Sequence, residues 1–381
     1  MKKIFVKILC FTSIVIGSKS VFAQTDAASF VRAGKQDAGK LIGAYLLPIT
    51  KGLASGVNDA WYSTAKPLGL GGFDIRFGFG ASLVNDDSKV FTLNGIGLNS
   101  DPKSEFLLNA IGGTRDTKQP TLVGNGSSSR FAVSVLNPLD NSQRIFIDTI
   151  SSFSGTNSPV SLGATPFLQL SLGLVKGTEI MIRMMPIQSG DFTSNGFGFG
   201  VKHSISQWIW GVDKLPVDIS GIYTFSNSNL EYAFGSNFLD ADRSSPNALS
   251  VDEYKNSQKL AVTTTGHQFG AIISKKLSIF TPYLGFTINS ATSEIAMKGI
   301  YPIQSVRKNG LVPEKYNDNI TNPVSFSNTV NATRASLGFR FKMLAFAFGA
   351  EYNHAFLADQ FSTFNATFAI NIQQLAPIPK L

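Results

Sequence analysis

The stretch FDIRFGFGASL, Phe73 to Leu83, alternates apolar and polar side chains. Strand side chains point to opposite faces in turn. Phe73, Ile75, Phe77, Phe79, Ala81 and Leu83 therefore share one face, and Asp74, Arg76, Gly78, Gly80 and Ser82 the other. The apolar face must meet either a soluble core or lipid, and that choice governs what the protein does.

The same period of two runs through most of the chain after Gly72. TPFLQLSLGLV (165–175), TEIMIRMM (178–185), GFGFGVKHSI (196–205) and VDISGIYTFS (217–226) repeat it. So do LAVTTTGHQFGAI (260–272), IFTPYLGFTIN (279–289), SEIAMKGIY (293–301), TRASLGFRF (333–341), LAFAFGAEYN (344–353) and STFNATFAINI (362–372). With short candidates at 89–93, 131–136 and 144–150, the sequence predicts about 14 strands, many near ten residues, the length a tilted membrane strand needs. Two long polar loops are expected, Ser226 to Gln258 and Pro302 to Asn328. Region 95–164 is weakly patterned.

Charges inside these candidates are Asp74, Arg76, Glu179, Arg183, Lys202, Asp218, Glu294, Lys298, Arg334, Arg340, Lys342 and Glu351. Each is expected on the face opposite the Phe/Leu/Ile stripe. A soluble sandwich would show that parity too. Three features favour lipid. The polar face is rich in Gly, Ser, Thr and Asn, as suits a lumen. Short and long connections alternate, the layout of outer-membrane barrels. Strands cross a bilayer only in a closed sheet, since open edges leave backbone groups unpaired in hydrocarbon. The expected fold is an all-β transmembrane antiparallel barrel; the alternative is a soluble secreted or periplasmic β-protein.

The N-terminus MKKIFVKILCFTSIVIGSKSVFAQ has Lys2 and Lys3, an apolar run from Ile4 to Gly17, and small residues before a cleavage site expected after Ala23. Residues 1–23 thus read as an export signal peptide. Cys10, the only cysteine, falls inside it, so the exported chain needs neither disulfides nor thiol ligands. The signal carries four lysines and no acid, so the net charge of +8 falls to +4. The basic residues are scattered, with no aromatic platform, so no nucleic acid is expected. Charged residues make up only 15% of the chain, below an ordinary soluble protein. Beyond the N-terminus no run approaches the ~20 apolar residues of a spanning helix.

Between signal and first strand, roughly Ala28 to Thr64, the period is helical. Leu41, Tyr45, Ile49, Leu53, Val57 and Trp61 recur every four residues, with glycines interrupting and Pro48 expected to kink the helix. Such a helix is poor on propensity and must be held by packing. Residues 24–71 are therefore read as a helical plug, 72–373 as the barrel and 374–381 as a tail.

A Gly-rich helical segment before about 14 strands resembles the long-chain fatty-acid transporter (FadL-like) family of outer-membrane proteins. The resemblance implies an N-terminal hatch inside the barrel and a lateral route for hydrophobic substrates. The stretch GLASGVNDAWYSTAKPLGLGGFDIRFGFGAS (52–82) also looks like the start of an uncharacterised family of bacterial outer-membrane barrels. Both resemblances are architectural. The chain departs from the common barrel pattern in following NATFAINI with QQLAPIPKL instead of closing on an aromatic residue.

The expected function is passage or binding of small hydrophobic, fatty-acid-like molecules in the outer membrane. Leu41, Tyr45, Leu53 and Trp61 would line an apolar pocket, and Arg76, Arg183, Lys202, Arg334 and Arg340 would meet an anionic head group. The competing reading pairs those cations with Asp74, Glu179, Asp218 and Glu351 as a structural network. Expected partners are outer-membrane lipid, a small hydrophobic ligand and the barrel assembly machinery. No cofactor, metal site or catalytic residue is expected. Two rival functions remain: a structural or adhesive surface barrel acting through its long loops, and a membrane lipid hydrolase using His267.

Overall fold

The computed structural model describes residues 28–161, 166–208, 216–356 and 361–372. The expected signal peptide, with Cys10, and the tail 374–381 lie outside the described residues. The dominant feature is a closed sheet of ten strands. They are β1 (Phe73–Leu83), β2 (Phe167–Leu174), β3 (Thr178–Met184), β4 (Phe192–Ser204), β5 (Asp218–Ala233), β6 (Lys259–Ser274), β7 (Phe280–Lys298), β8 (Val324–Met343), β9 (Phe346–Ala355) and β10 (Thr363–Ile372). Each pairs antiparallel with the next in sequence, and β10 returns to β1 with Phe73 opposite Ile372. Closure leaves no unpaired edge.

Ten strands replace the expected 14 or so for two reasons. The candidates near 89–93, 131–136 and 144–150 lie outside the barrel, in an insertion between β1 and β2. The candidates 279–289 and 293–301 largely form one 19-residue strand, β7. They looked separate because the apolar parity changes halfway. Leu284, Phe286 and Ile288 point out and are exposed; beyond them Ser290, Thr292 and Glu294 point out, while Ile295 and Met297 are buried inside. Strands β5 and β8 switch at the same level. Their outward side chains run Tyr223, Phe225, then Asn227, Asn229, and Phe339, Leu337, then Thr333, Asn331. Alternation is thus kept, but what each face touches inverts along the strand. Glu294 and Lys298, expected with the lumen charges, therefore face outward.

Below the switch the barrel is inside-out. Phe79, Ile182, Phe197, Phe269, Phe286, Leu337 and Phe348 are exposed on its outer wall, while Asp74, Arg76, Glu179, Arg183, Lys202, Arg334, Arg340 and Glu351 are buried within. A contiguous apolar belt of this kind has no stable partner in water. No helix among the described residues is long and apolar enough to cross a membrane.

The two mouths differ. At one, the strands are joined by 175–177, 205–217, 275–279 and 344–345; at the other by 84–166, 185–191, 234–258, 299–323 and 356–362. The long connections build a cap. It holds a three-stranded sheet (Phe106–Ile111, Arg130–Asn137, Asp140–Ile150), the hairpin Ile300–Asn309 with Val312–Thr321, and the short helix Val251–Ser257. The helix α1 (Lys35–Gly56) enters this cap. Tyr45 sits edge-on to Phe30 at 5.4 Å and to Phe153 at 5.2 Å, in a core shared with Leu41, Phe131, Ile295 and Tyr301. The helix ends at Gly56, short of the expected Thr64, and 57–72 runs on without regular structure.

Candidate functional site

An irregular chain buried inside a barrel must find partners for its own N–H and C=O groups. The lumen face supplies them. From the cap end downward, Ser161 donates to Pro48 O (2.7 Å), Ser82 to Gly52 O (3.1 Å), Arg334 to Ser55 O (3.1 Å) and Ser226 to Val57 O (2.9 Å). Arg183 then donates to Asp59 O (2.7 Å), and Arg76 and Gln169 both donate to Trp61 O (3.3 and 3.2 Å). Lys202 donates to Thr64 O (3.2 Å) and Ser220 to Ala65 O (2.5 Å), while the Leu68 N–H donates to Glu179 (3.0 Å). The Ala60 N–H donates to Glu351 (3.3 Å). The polar lumen residues thus stand in for a neighbouring strand, and 57–68 fills the barrel axis.

The charges also pair with one another. Arg334 meets Asp59 at 3.0 Å, Lys202 meets Glu179 at 3.0 Å, and Arg76 and Arg340 each meet Asp74 at 3.4 Å. Arg183 is held differently, with its guanidinium 4.0 Å from the Trp61 ring centre and 3.8 Å from that of Phe167. Stacking of this kind suits the weakly hydrated guanidinium. Trp61 is wholly buried, against Gly198 and Gly200 of β4. A Cβ on Gly198 would stand 2.9 Å from the indole, so the wall is smooth where the thread is widest.

The five cations expected around a head group are therefore all buried in the lumen: Arg76, Arg183, Lys202 and Arg334 donate to backbone carbonyls of residues 55–64, whereas Arg340 is bonded to Asp74 of the wall. Leu41 and Tyr45 lie apart from them, in the cap, and Leu53 packs with the same cap cluster. Sequence reasoning missed Asp59, Gln169, Ser220 and Ser274, because short polar residues at these positions signal nothing until the thread is beside them. His267, the hydrolase candidate, lies exposed on the outer wall, where Nδ1 meets the Tyr223 hydroxyl at 3.0 Å. Among the described residues no cluster of three metal-ligating side chains forms.

A second feature opens at the long-loop mouth. A cleft of about 1000 Å³ separates α1 from the start of β8. Gly39, Gly43, Ala44 and Leu47 form its helical side, and Val324, Phe326, Phe91 and Ile96 face them. Its charged lining groups are Lys35, Lys40 and Asp87. Lys40 is engaged, bonded to Gly97 O and 3.6 Å from Asp37. Lys35 is exposed. Small residues at helical spacing, Gly39, Gly43 and Ala44, beside Lys35 and Lys40 are the sequence signal for this cleft.

The cap also carries two carboxylates held by hydroxyl and backbone donors, Glu253 exposed and Asp242 partly so. The Ser250 hydroxyl and backbone N–H hold Glu253 below the usual range, closing a capping box on Val251–Ser257. Ser244 does the same for Asp242, which also accepts from Gln304 of the hairpin.

The model of a family described as a family of unknown function (DUF6588) matches residues 1–372. No curated protein matches the chain in sequence. Among solved structures, the translocator domain of the autotransporter NalP from Neisseria meningitidis is similar, at 9% identity and a TM-score of 0.30, over 85% of this chain and 93% of that one. The transport unit of the autotransporter AIDA-I from Escherichia coli follows, at 8% identity and 0.28, over 86% and 99%. A mutant Rh. blastica porin reaches 10% and 0.16, over 79% and 99%. Likenesses this distant bear on neither function nor strand number.

Proposed function

We propose that this chain, which belongs to the DUF6588 family of unknown function, is an outer-membrane barrel that holds its lumen shut and binds a small amphipathic anion at its outer mouth. The belt supports the membrane, and the short and long connections support an orientation with the cap outside. The observation that carries the binding claim is the conjunction of a filled lumen with an open apolar cleft of about 1000 Å³ beside exposed Lys35. Its size and lining are those of small-molecule sites. Binding is favoured over free passage because the thread would have to leave a dozen hydrogen bonds first. The fatty-acid character rests on the cleft chemistry alone: apolar wall, one available cation.

The test is displacement of a fluorescent fatty acid from purified protein in detergent. Gly43→Leu should fill the cleft, since a Cβ there already meets the Phe326 ring at 3.2 Å. It should weaken binding at least tenfold, with a melting transition that is shifted by the displaced Phe326 ring but still cooperative. Lys35→Ala should weaken the acid but not the matching neutral alcohol. Unsaturable binding, or binding indifferent to Gly43→Leu, refutes the proposal. A second reading, a surface barrel acting through its loops, is favoured by the hairpin tip, where Leu311 is 92% and Val312 65% exposed to water. Removing 307–314 should then abolish partner capture and leave ligand displacement intact.

A further inference from the structure

We infer that the barrel carries its own N-terminal arm across the membrane, so that residues 28–47 stand on the outer face and reach β1 only through the lumen. The inference rests on the outer-membrane reading and adds a direction to it.

The direction comes from the order of contacts. Gly39 and Gly43 of α1 face Val324 and Phe326, at the long-loop end of β8. Thr50 accepts from Ser293 and Ser55 from Arg334, each further from that mouth. Asn58 reaches the His267 carbonyl, and Tyr62 reaches Ser336 at 3.0 Å. The Ala65 N–H donates to Ser274, the last residue of β6, at 2.9 Å. Gly71 donates to Gly173 O at 3.0 Å, beside the short 175–177 connection, and β1 begins two residues later. Depth therefore rises steadily with residue number, from one mouth to the other. The segment neither folds back nor leaves by the mouth it entered.

Two further observations fix the arm on the far side. Residues 30–33 are part of the cap core, with Phe30 at 4.8 Å from Phe153 and Arg32 paired to Asp148 at 3.3 Å. Beyond the parity switch the outward faces of β5, β7 and β8 are polar, so this half of the barrel stands in water. An arm in the cap is thus remote from the belt as well as from the short turns. The lumen is then a sheathed tether, and the barrel displays its own N-terminal arm at the surface.

Single-cysteine labelling on intact cells tests this, in a Cys10→Ser background. Gln36→Cys reports the arm, Leu311→Cys the long hairpin and Leu344→Cys a short turn; the last two positions are 92% and 94% exposed. Lys35→Cys duplicates the arm should Gln36→Cys accumulate poorly. With a membrane-impermeant maleimide, the arm and hairpin sites should label alike, at least tenfold above Leu344→Cys, which should label only after permeabilisation. Hairpin labelled with arm protected like the turn overturns the arm's placement and leaves the barrel standing. Turn labelled with arm and hairpin protected inverts the orientation and also overturns it. Equal labelling of hairpin and turn on intact cells removes the outer-membrane reading, and the inference with it.

Discussion

Asp59→Asn should loosen the thread. Asp59 Oδ1 lies 3.0 Å from Arg334, with the two side chains only 5% and 3% exposed. At an effective dielectric of about 20, charges at that distance attract by about 5–6 kcal/mol. Removing one partner of a buried pair costs about 3–5 kcal/mol, because the other charge is stranded. Arg334 would be stranded beside Arg183, which donates to the Asp59 carbonyl. The cost falls on opening of the thread, not on the barrel, whose strands remain paired. Amide hydrogen exchange in lipid nanodiscs reads that opening directly. Exchange across 57–68 should accelerate by about 10²- to 4 × 10³-fold, since each 1.4 kcal/mol is a factor of ten. Arg334→Met alone should cost a similar amount. Together, Asp59→Asn and Arg334→Met should cost only about 1–3 kcal/mol, the penalty for the Ser55 carbonyl that loses its donor. A planar bilayer gives an independent readout: near silence for the native protein, openings for either single variant, and near silence again for the pair. Costs that simply add, or a native thread that already exchanges freely, would refute a lumen held by paired charge.

Other outcomes follow from the same geometry. Trp61→Ala should destabilise the thread by about 3–5 kcal/mol, the usual cost of emptying a buried aromatic site, measured by the same exchange. Phe286→Lys should cost about 2–4 kcal/mol of barrel stability in lipid, whereas Thr292→Lys, three rungs along the same outward face but past the parity switch, should cost less than about 1; unfolding in urea from vesicles separates them. Leu344 is 94% exposed with φ 54°, so Leu344→Gly should stabilise the turn by about 0.5–1 kcal/mol in thermal unfolding. Asp242 and Glu253 have lowered native pKa values, so their contribution to the cap is present above the ordinary carboxylate range of about 4 and is lost as pH falls through the native values. Exchange at 242–258 should therefore quicken in acid before the barrel strands respond.

The parity of FDIRFGFGASL read correctly because alternation is local: each residue's face depends only on its neighbours. The same rule misled at SEIAMKGIY, where Ile295 and Met297 were placed with the lipid stripe. They point inward, and alternation alone cannot tell a lipid-facing apolar row from one packed on a cap. Trp61 and Arg183 were both singled out, but as lining and head-group contact. That one stacks on the other needed the lumen to place 61 beside 183. Asp59 carried no signal, since its partner Arg334 lies 275 residues away.

The sequence by itself determined the strand period, the polar inward face and a helix ahead of β1. These are local properties, written in neighbouring residues and enforced by the need of every backbone N–H and C=O for a partner. Only the tertiary structure decided that ten strands close the ring, that the thread runs from the cap to the short turns, and which lumen charges pair. Ring closure and ion pairing join residues far apart in the chain, and no periodicity within a segment encodes them.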